Sequence, residues 1–264
     1  MNEINQMASQ AKVWIFEMSQ MIRTTSKNSL IIDTKTSASD LVTNVDKEVE
    51  KFFKENIKKT YPEHLLLGEE GLGDEIVDSN GTIWILDPID GTTNFIHQQR
   101  NFAISLGVFR DGKPLFGFVY DVMRDDLFHA ICGEGAFLNE TRLAPLKEKK
   151  ISDALITMNS KWLVENGRLD DELLRNMVKD VRETRSYGSC AIEMSYVAAG
   201  MLDGYLSAKI APWDIAGAWV IGNEVGAIAT EIDGTAKDVF GYGGIVFAAP
   251  GVHKELIRNY VRGI

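Results

Sequence analysis

Between residues 82 and 138 the chain reads as a run of short apolar strands, and this stretch constrains what everything else must pack around. Residues 82–86 form an apolar strand, and 101–109 and 115–120 flank Asp111-Gly112, a pair suited to a tight hairpin turn. Residues 126–131 and 135–138 extend the same antiparallel meander. Ahead of it, Ile4, Ala8, Ala11, Ile15, Met18 and Ile22 recur at steps of four and three, one face of a long amphipathic helix. After a polar stretch over 24–40, Val45, Val49, Phe52 and Ile57 repeat the helical pattern, with Asp46 near its start and Pro62 marking its end.

Behind the meander, Pro145 and the polar connector 147–150 lead into alternating apolar strands and helical patterns at 154–158, 169–178, 181–187, 192–199 and 204–208, then a helix from about Asp214. The expected class is therefore α/β, with a boundary near residue 145 between an α+β half, 1–145, and an α/β half, 146–264. No internal repeat or low-complexity tract interrupts either half.

Composition excludes several functions. Hydrophobic residues at 45% and charged residues at 25% are those of an ordinary globular chain. A net charge of -10 argues against broad attraction to nucleic acid or anionic lipid, while leaving room for a local cationic or metal site. Cys132 and Cys190 form no CxxC pair, so free thiols and a cytoplasmic location are expected. The N-terminus lacks the basic start and apolar run of a signal peptide, and no uncharged apolar stretch reaches the roughly 18–20 residues that cross a bilayer.

The densest polar cluster follows the strand at 84–86, where Asp87-Pro88-Ile89-Asp90-Gly91-Thr92-Thr93-Asn94 ends an apolar run in two carboxylates, a glycine and two hydroxyls. Two carboxylates three positions apart around a stiff proline can enter one pocket and offer hard oxygen ligands to Mg²⁺. Gly91-Thr92-Thr93 stands at an expected helix start, whose unpaired N–H groups suit phosphate. The same residues also make an ordinary polar turn. Glu69-Glu70, after the apolar run 65–67, reads either as further ligands or as a solvated loop. Asp214, behind Pro212-Trp213, reads either as a ligand or as an acid stabilising a helix N-terminus, and Asp46 carries the same ambiguity.

Other chemistries lack their residues. His64, His97, His129 and His253 have no zinc spacing, and neither a P-loop nor a GxSxG elbow occurs. The glycines over 68–73 have the wrong offsets for a dinucleotide fingerprint.

Taken together, GEE at 68–70, WILDPIDGTTNF at 84–95, GSC at 188–190 and PWDIAGA at 212–218 resemble the inositol monophosphatase family of Mg²⁺-dependent, lithium-sensitive phosphatases, over essentially the whole chain. That resemblance implies a five-layered αβαβα sandwich and a cytoplasmic homodimer acting on a small phosphate monoester, with no nucleic acid or membrane partner. It implies two or three Mg²⁺ ions per site. Glu69 matches a metal ligand, with Glu70 its neighbour; Asp87 would bridge two metals, the Ile89 carbonyl would complete the first, and Asp90 with Asp214 the second. Thr92 and Asp46 would orient and deprotonate the attacking water beside Glu69, and the N–H groups of Gly91 and Thr92 would hold the phosphate. Gly188, Ser189, Cys190, Ser207, Asp90 and Asp214 would meet the substrate, and Lys35 matches a basic residue of a mobile loop.

The departure from the family pattern lies at Ser207, six positions before Trp213, where animal members carry a glutamate that binds inositol hydroxyls. With Lys209 nearby, this favours a more anionic ligand than inositol phosphate alone. The expected function is hydrolysis of myo-inositol monophosphates, and also of the 2′-phosphate of NADP, by metal-activated water without a covalent intermediate. The alternatives are a dedicated NADP phosphatase or fructose 1,6-bisphosphatase on the same core, and, from another class, a non-catalytic phosphate- or metal-binding regulator.

Overall fold

The computed structural model describes residues 2–25, 30–34 and 41–263. The N-terminal helices are α1 (Glu3–Thr24) and α2 (Asn44–Thr60), with a two-stranded ribbon, β1 (Ile32–Thr34) and β2 (Leu41–Thr43), between them. Strands β3 (Leu65–Gly68), β4 (Thr82–Asp90), β5 (Ala103–Arg110), β6 (Lys113–Asp121), β7 (Asp126–Ile131), β8 (Gly135–Leu138) and β9 (Thr141–Arg142) pair in chain order into one seven-stranded sheet, with the short helix α3 (Thr92–Gln98) between β4 and β5. Only the β3–β4 pair is parallel; the rest is the expected antiparallel meander.

The second part of the chain supplies β10 (Leu155–Met158), α4 (Asp171–Asp180), β11 (Glu183–Arg185), α5 (Cys190–Ala198), β12 (Gly204–Ile210), α6 (Pro212–Val225), β13 (Ile228–Thr230), β14 (Gly243–Ala248) and α7 (Pro250–Asn259). Its five strands pair in the order β11-β10-β12-β14-β13. This sheet is mixed: β11, β10 and β12 run parallel, whereas β14 lies antiparallel to both β12 and β13.

Side-chain alternation builds the layers. In β4, Trp84 and Leu86 point into a core shared with Trp14 and Ile15 of α1 and Val49 and Phe53 of α2. Ile83 and Ile85, on the opposite face, join Ile192 of α5, Ile215 and Ile221 of α6, and Phe247 of β14. The far face of the second sheet packs Ile156 and Val246 against Leu174 of α4 and Leu256 of α7. The sequence of layers is helix, sheet, helix, sheet, helix, which is the αβαβα sandwich. Every residue of β4 is buried, so it reads as an unbroken apolar run until its two aspartates.

The central layer is seated by glycines. A Cβ on Gly107 of β5 would lie 2.6 Å from the Ala216 carbonyl carbon, and one on Gly117 of β6 would lie 2.4 Å from the Gly217 oxygen. From the helix side, a Cβ on Gly217 would stand 2.5 Å from the Phe118 oxygen. Backbone therefore meets backbone where α6 crosses the sheet.

Three details differ from the sequence reading. The second helix turns Phe53, not Phe52, fully inward, because 45, 49, 53 and 57 form the strict i, i+4 row; Phe52 is only partly buried at the edge of the same core. The strand starting at Thr82 does not stop at Leu86 but runs to Asp90. The last forty residues, to which the sequence reading assigned no elements, supply β13, the antiparallel β14 and α7.

Gly217→Ala tests the seating of α6. Alanine favours an isolated helix by about 1 kcal/mol over glycine, yet here the clash should dominate and lower stability by about 1–3 kcal/mol, measured by urea unfolding.

Candidate active site

The two aspartates at the end of β4 share one site because the strand is irregular there. In a regular strand, residues three apart face opposite sides. Between Asp87 and Asp90 the register slips: Asp87 pairs with Ser105 and Asp90 with Ala103, so three steps on β4 match two on β5. The extra residue re-aims Asp90, and the Ile89 N–H donates to an Asp87 carboxylate oxygen at 3.0 Å, closing a local turn around Pro88. Asp87 and Asp90 are 2% and 7% exposed, so both carboxylates are taken out of water.

Glu69 joins them from the neighbouring strand: it directly follows β3, and its N–H donates to the Leu86 carbonyl at 3.3 Å. The loop after it is held by a residue the sequence reading did not single out. Glu50, on α2 and fully buried, accepts the N–H groups of Glu70 at 2.7 Å, Leu72 at 2.7 Å and Gly73 at 3.1 Å. A Cβ on Gly68 would lie 2.3 Å from the Glu50 carboxyl carbon, which is why glycine precedes the glutamate pair. Only the i+4 position of Glu50 relative to Asp46 hinted at its inward face.

Asp46 sits in the first turn of α2 and is 1% exposed; its Oδ2 accepts the Thr43 N–H at 3.0 Å and the Thr43 hydroxyl. Its other oxygen lies 3.4 Å from the Thr92 hydroxyl, which is also 3.1 Å from the Ile89 carbonyl. A hydroxyl has one proton, so Thr92 donates to one of these acceptors at a time. Gly91, at φ +94°, turns the chain from β4 into α3. A side chain there would be strained and would press the Asn101 and Gly188 carbonyls, at 3.0 and 3.2 Å.

The second part of the chain closes the site. The Ser189 hydroxyl, the Cys190 N–H at 3.2 Å and the Ala191 N–H at 2.8 Å all donate to Asp90, which thereby caps the N-terminus of α5. Asn94 bridges the two parts by donating to the carbonyls of Asn101 at 2.8 Å and Tyr187 at 2.6 Å. Asp214, in the first turn of α6, accepts the Ala211 N–H at 2.7 Å. The Ser207 hydroxyl is used locally, donating to the Lys209 carbonyl at 2.9 Å. Lys35 lies outside the described residues.

Burial and mutual repulsion push these acids upward. Burial raises Asp87 well above the usual carboxylate range, and Glu69, Asp90 and Asp214 add to the rise. Burial pushes Asp90 up to about 7 against its hydrogen bonds from Ser189, Ala191 and Cys190. It pushes Asp214 up to about 8, opposed by the Ala211 N–H and raised further by Asp90 and Glu69, and Asp46 up to about 6, opposed by Thr43. The Cys190 thiol is also driven well up, first by burial and then by Asp214 and Asp90, so it is held neutral.

The donor set fits a hard divalent cation. Carboxylates buried beside one another are uncompensated unless protonated or matched by positive charge. The hydrogen bonds to Asp87 and Asp90 named above come from neutral N–H and O–H groups, and oxygen is the ligand Mg²⁺ prefers. Among the described residues no three His, Cys, Asp or Glu side chains are already gathered around one point, so the fit rests on donor chemistry rather than on a preformed cage. A larger cavity of about 650 Å³, lined by Ile76, Val77, Phe240 and Tyr242 among others, includes none of these acids.

Comparison with known proteins gives one consistent result. The profile of the inositol monophosphatase family matches residues 3–264. Inositol-1-monophosphatase of Bacillus subtilis (strain 168) is 49% identical over 251 residues, covering 95% of each chain. Among solved structures, 2′-AMP-bound SaIMPase-II, the Staphylococcus aureus inositol monophosphatase-II, superposes with a TM-score of 0.89 at 41% identity, covering 97% of this chain and 94% of that one. An IMPase/NADP phosphatase complexed with Mg²⁺ and phosphate superposes with a TM-score of 0.90 at 28% identity over 99% of both chains.

Glu50→Gln replaces an acceptor that holds three N–H groups with an amide that can present its own donor to them. The expected outcome is Mg²⁺ binding weakened by about tenfold or more in a calorimetric titration, with the circular dichroism spectrum retained. Unchanged Mg²⁺ affinity would reduce Glu50 to a packing role.

Proposed function

Because the chain belongs to the inositol monophosphatase family, we propose that it is a Mg²⁺-dependent phosphomonoester hydrolase acting on myo-inositol monophosphates and, as a second substrate, on the 2′-phosphate of NADP. The observation that carries this reading is the joint burial of Asp87 and Asp90, electrostatically coupled to Glu69 and Asp214, beside the Asp46–Thr92 pair. The broader specificity is supported by the relative solved with 2′-AMP and by the one titled an NADP phosphatase.

In this reading Glu69, Asp87, the Ile89 carbonyl, Asp90 and Asp214 hold two or three Mg²⁺ ions. When bound, the ions neutralise these acids, make a water nucleophilic near neutral pH and offset charge on the leaving oxygen. Asp46, pushed up to about 6, is largely ionised at pH 7 and still basic enough to draw a proton. Thr92 accepts a hydrogen bond from the attacking water while its own proton turns from the Ile89 carbonyl to Asp46. The left-handed turn at Gly91 presents the N–H groups of Gly91 and Thr92, which have no intrahelical acceptor, to the phosphate. Water attacks directly, so no residue carries the phosphoryl group.

Residues 1–145 then provide metal and phosphate binding, while 146–264 add Asp214 and the wall facing the leaving group, where Gly188, Ser189, Cys190 and Ser207 line a cavity. The same reading makes the protein a cytoplasmic homodimer. Both cysteines are free, and no helix among the described residues is long and apolar enough to cross a membrane. Light scattering on the purified protein tests the dimer.

The function is tested by phosphate release from inositol 1-phosphate, NADP and fructose 1,6-bisphosphate, with and without Mg²⁺. Asp87→Asn should lower kcat at least about a thousandfold, since it removes one of the acids that would hold the ions. Thr92→Ala should lower it by about 10²–10⁴, the range of a lost proton-transfer partner, with KM little changed. Full activity in Asp87→Asn would reject the assignment.

A further inference from the structure

Three donors reach Asp90 from one turn, and the position of that turn decides whether they arrive together. The Ser189 hydroxyl and the Ala191 N–H donate to Asp90 Oδ2, and the Cys190 N–H donates to Oδ1. A carboxylate offers about four acceptor positions, so the position left open to a cation is on Oδ1. Cys190 and Ala191 are the first two residues of α5, whose N–H groups have no acceptor within the helix. Nothing in the helix itself therefore aims them at Asp90.

The chain ahead of α5 is held from both sides. On its N–H side, Glu193 Oε1 accepts the Tyr187 N–H and, at 3.0 Å, the Gly188 N–H. On its carbonyl side, Asn94 donates to the Tyr187 oxygen at 2.6 Å, its second N–H being spent on the Asn101 carbonyl. Gly188 stands between them at φ +80°, and a Cβ there would lie 2.9 Å from Asn94 Nδ2. The backbone of Glu193 also closes the first turn of the helix, its N–H donating to the Ser189 carbonyl at 3.0 Å. One residue thus holds the chain on both sides of the turn that meets Asp90.

Glu193 is 4% exposed and has no ion pair among the described residues. A carboxylate so placed is costly unless its hydrogen bonds are made, and burial pushes its pKa up against the N–H groups of Tyr187 and Gly188. An acid in the first turn of a helix is ordinarily explained by the helix dipole alone. Here the side chain reaches back past Ser189, the cap of α5, to the two residues ahead of it, and stays buried to do so.

We propose that Glu193 is a positioning residue for the metal site: by holding the Tyr187 and Gly188 N–H groups it sets the turn that brings the Ser189, Cys190 and Ala191 donors onto Asp90, and so aims Asp90 Oδ1 at the cation. The inference rests on the metal-dependent reading of the site and deepens it by adding a residue that acts on a ligand through the backbone.

The test compares two replacements. Glu193→Gln keeps an oxygen acceptor and loses the charge, whereas Glu193→Met keeps the length and loses the acceptor. In calorimetric titration, Mg²⁺ affinity should weaken about tenfold or more in Glu193→Met and stay within about threefold of wild type in Glu193→Gln. Hydrogen exchange gives the second readout. In Glu193→Met the Cys190 and Ala191 amides, which are bonded to Asp90, should exchange about tenfold faster or more, while those of Val197 and Ala198, bonded within α5, keep their wild-type rates. Unchanged Mg²⁺ affinity in Glu193→Met, or unchanged exchange of the two amides, overturns the proposal. So does an equal loss in Glu193→Gln, which would make the charge responsible and not the turn. If Glu193→Met does not fold, wild-type exchange decides: on adding Mg²⁺ the Tyr187, Gly188, Cys190 and Ala191 amides should slow by a common factor, within about twofold, and slowing of Cys190 and Ala191 alone, or of none, overturns the proposal. Failure of the metal-dependent reading appears separately, as no Mg²⁺ binding by the wild type, and leaves the amide exchange of Glu193→Met to decide whether Glu193 holds the donors to Asp90.

Discussion

Carboxylates held close together and away from water repel one another, and most of this structure can be read as the means of keeping them there. Asp90 and Asp214 raise the protonation of Asp87, Asp90 also raises that of Asp214, and Glu69 adds to all three. Such a cluster opposes folding unless protons or cations join it. Its persistence at the junction of the two sheets is the physical argument for a metal-dependent activity, independent of any likeness to other proteins.

Helix N-termini supply part of the compensation. Asp46 and Asp214 occupy the same first-turn position in α2 and α6, each accepting the N–H of the residue before its helix. Asp90 receives the first N–H groups of α5. Three helices thus direct the positive ends of their dipoles at the acids. The same construction fixes distances: α6 rests on β5 and β6 through glycine contacts that no side chain can enter, so the depth at which Asp214 stands is set by backbone against backbone.

What was legible in the sequence was local. The two aspartates around Pro88, the glycine after them and the helix start at Asp214 sit in contiguous motifs, and the alternation of apolar residues through the meander marked its strands. What was not legible depends on partners far along the chain. Glu50 organises a loop some twenty residues away, Asn94 reaches Tyr187, and Lys161 and Lys209 border one cavity only because β10 and β12 are neighbours. The inward turn of Phe53 over the adjacent Phe52 follows the i, i+4 row of 45, 49, 53 and 57, and Phe53 packs on Trp14, the two rings meeting edge-on at 6.2 Å. Strands as short as β13 carry too few residues for a period to register.

The most direct test of the buried-acid account is thermal stability against pH, with EDTA and with Mg²⁺. An acid whose folded pKa is raised stabilises the folded state below its unfolded value, near 3.8 for aspartate, and that contribution is lost as pH rises through the folded value. For Asp90 and Asp214 the loss accumulates above the unfolded value and is complete at about 7 and about 8. His64, His129 and His253, whose pKa values are lowered mainly by burial, act in the opposite sense but below their ordinary 6.5, so the range from about pH 6.5 to 8.5 isolates the acids. The account predicts that Tm falls across this range in EDTA and that Mg²⁺ removes the fall, its stabilising effect growing with pH. Parallel curves, with no gain from Mg²⁺ at any pH, would contradict it.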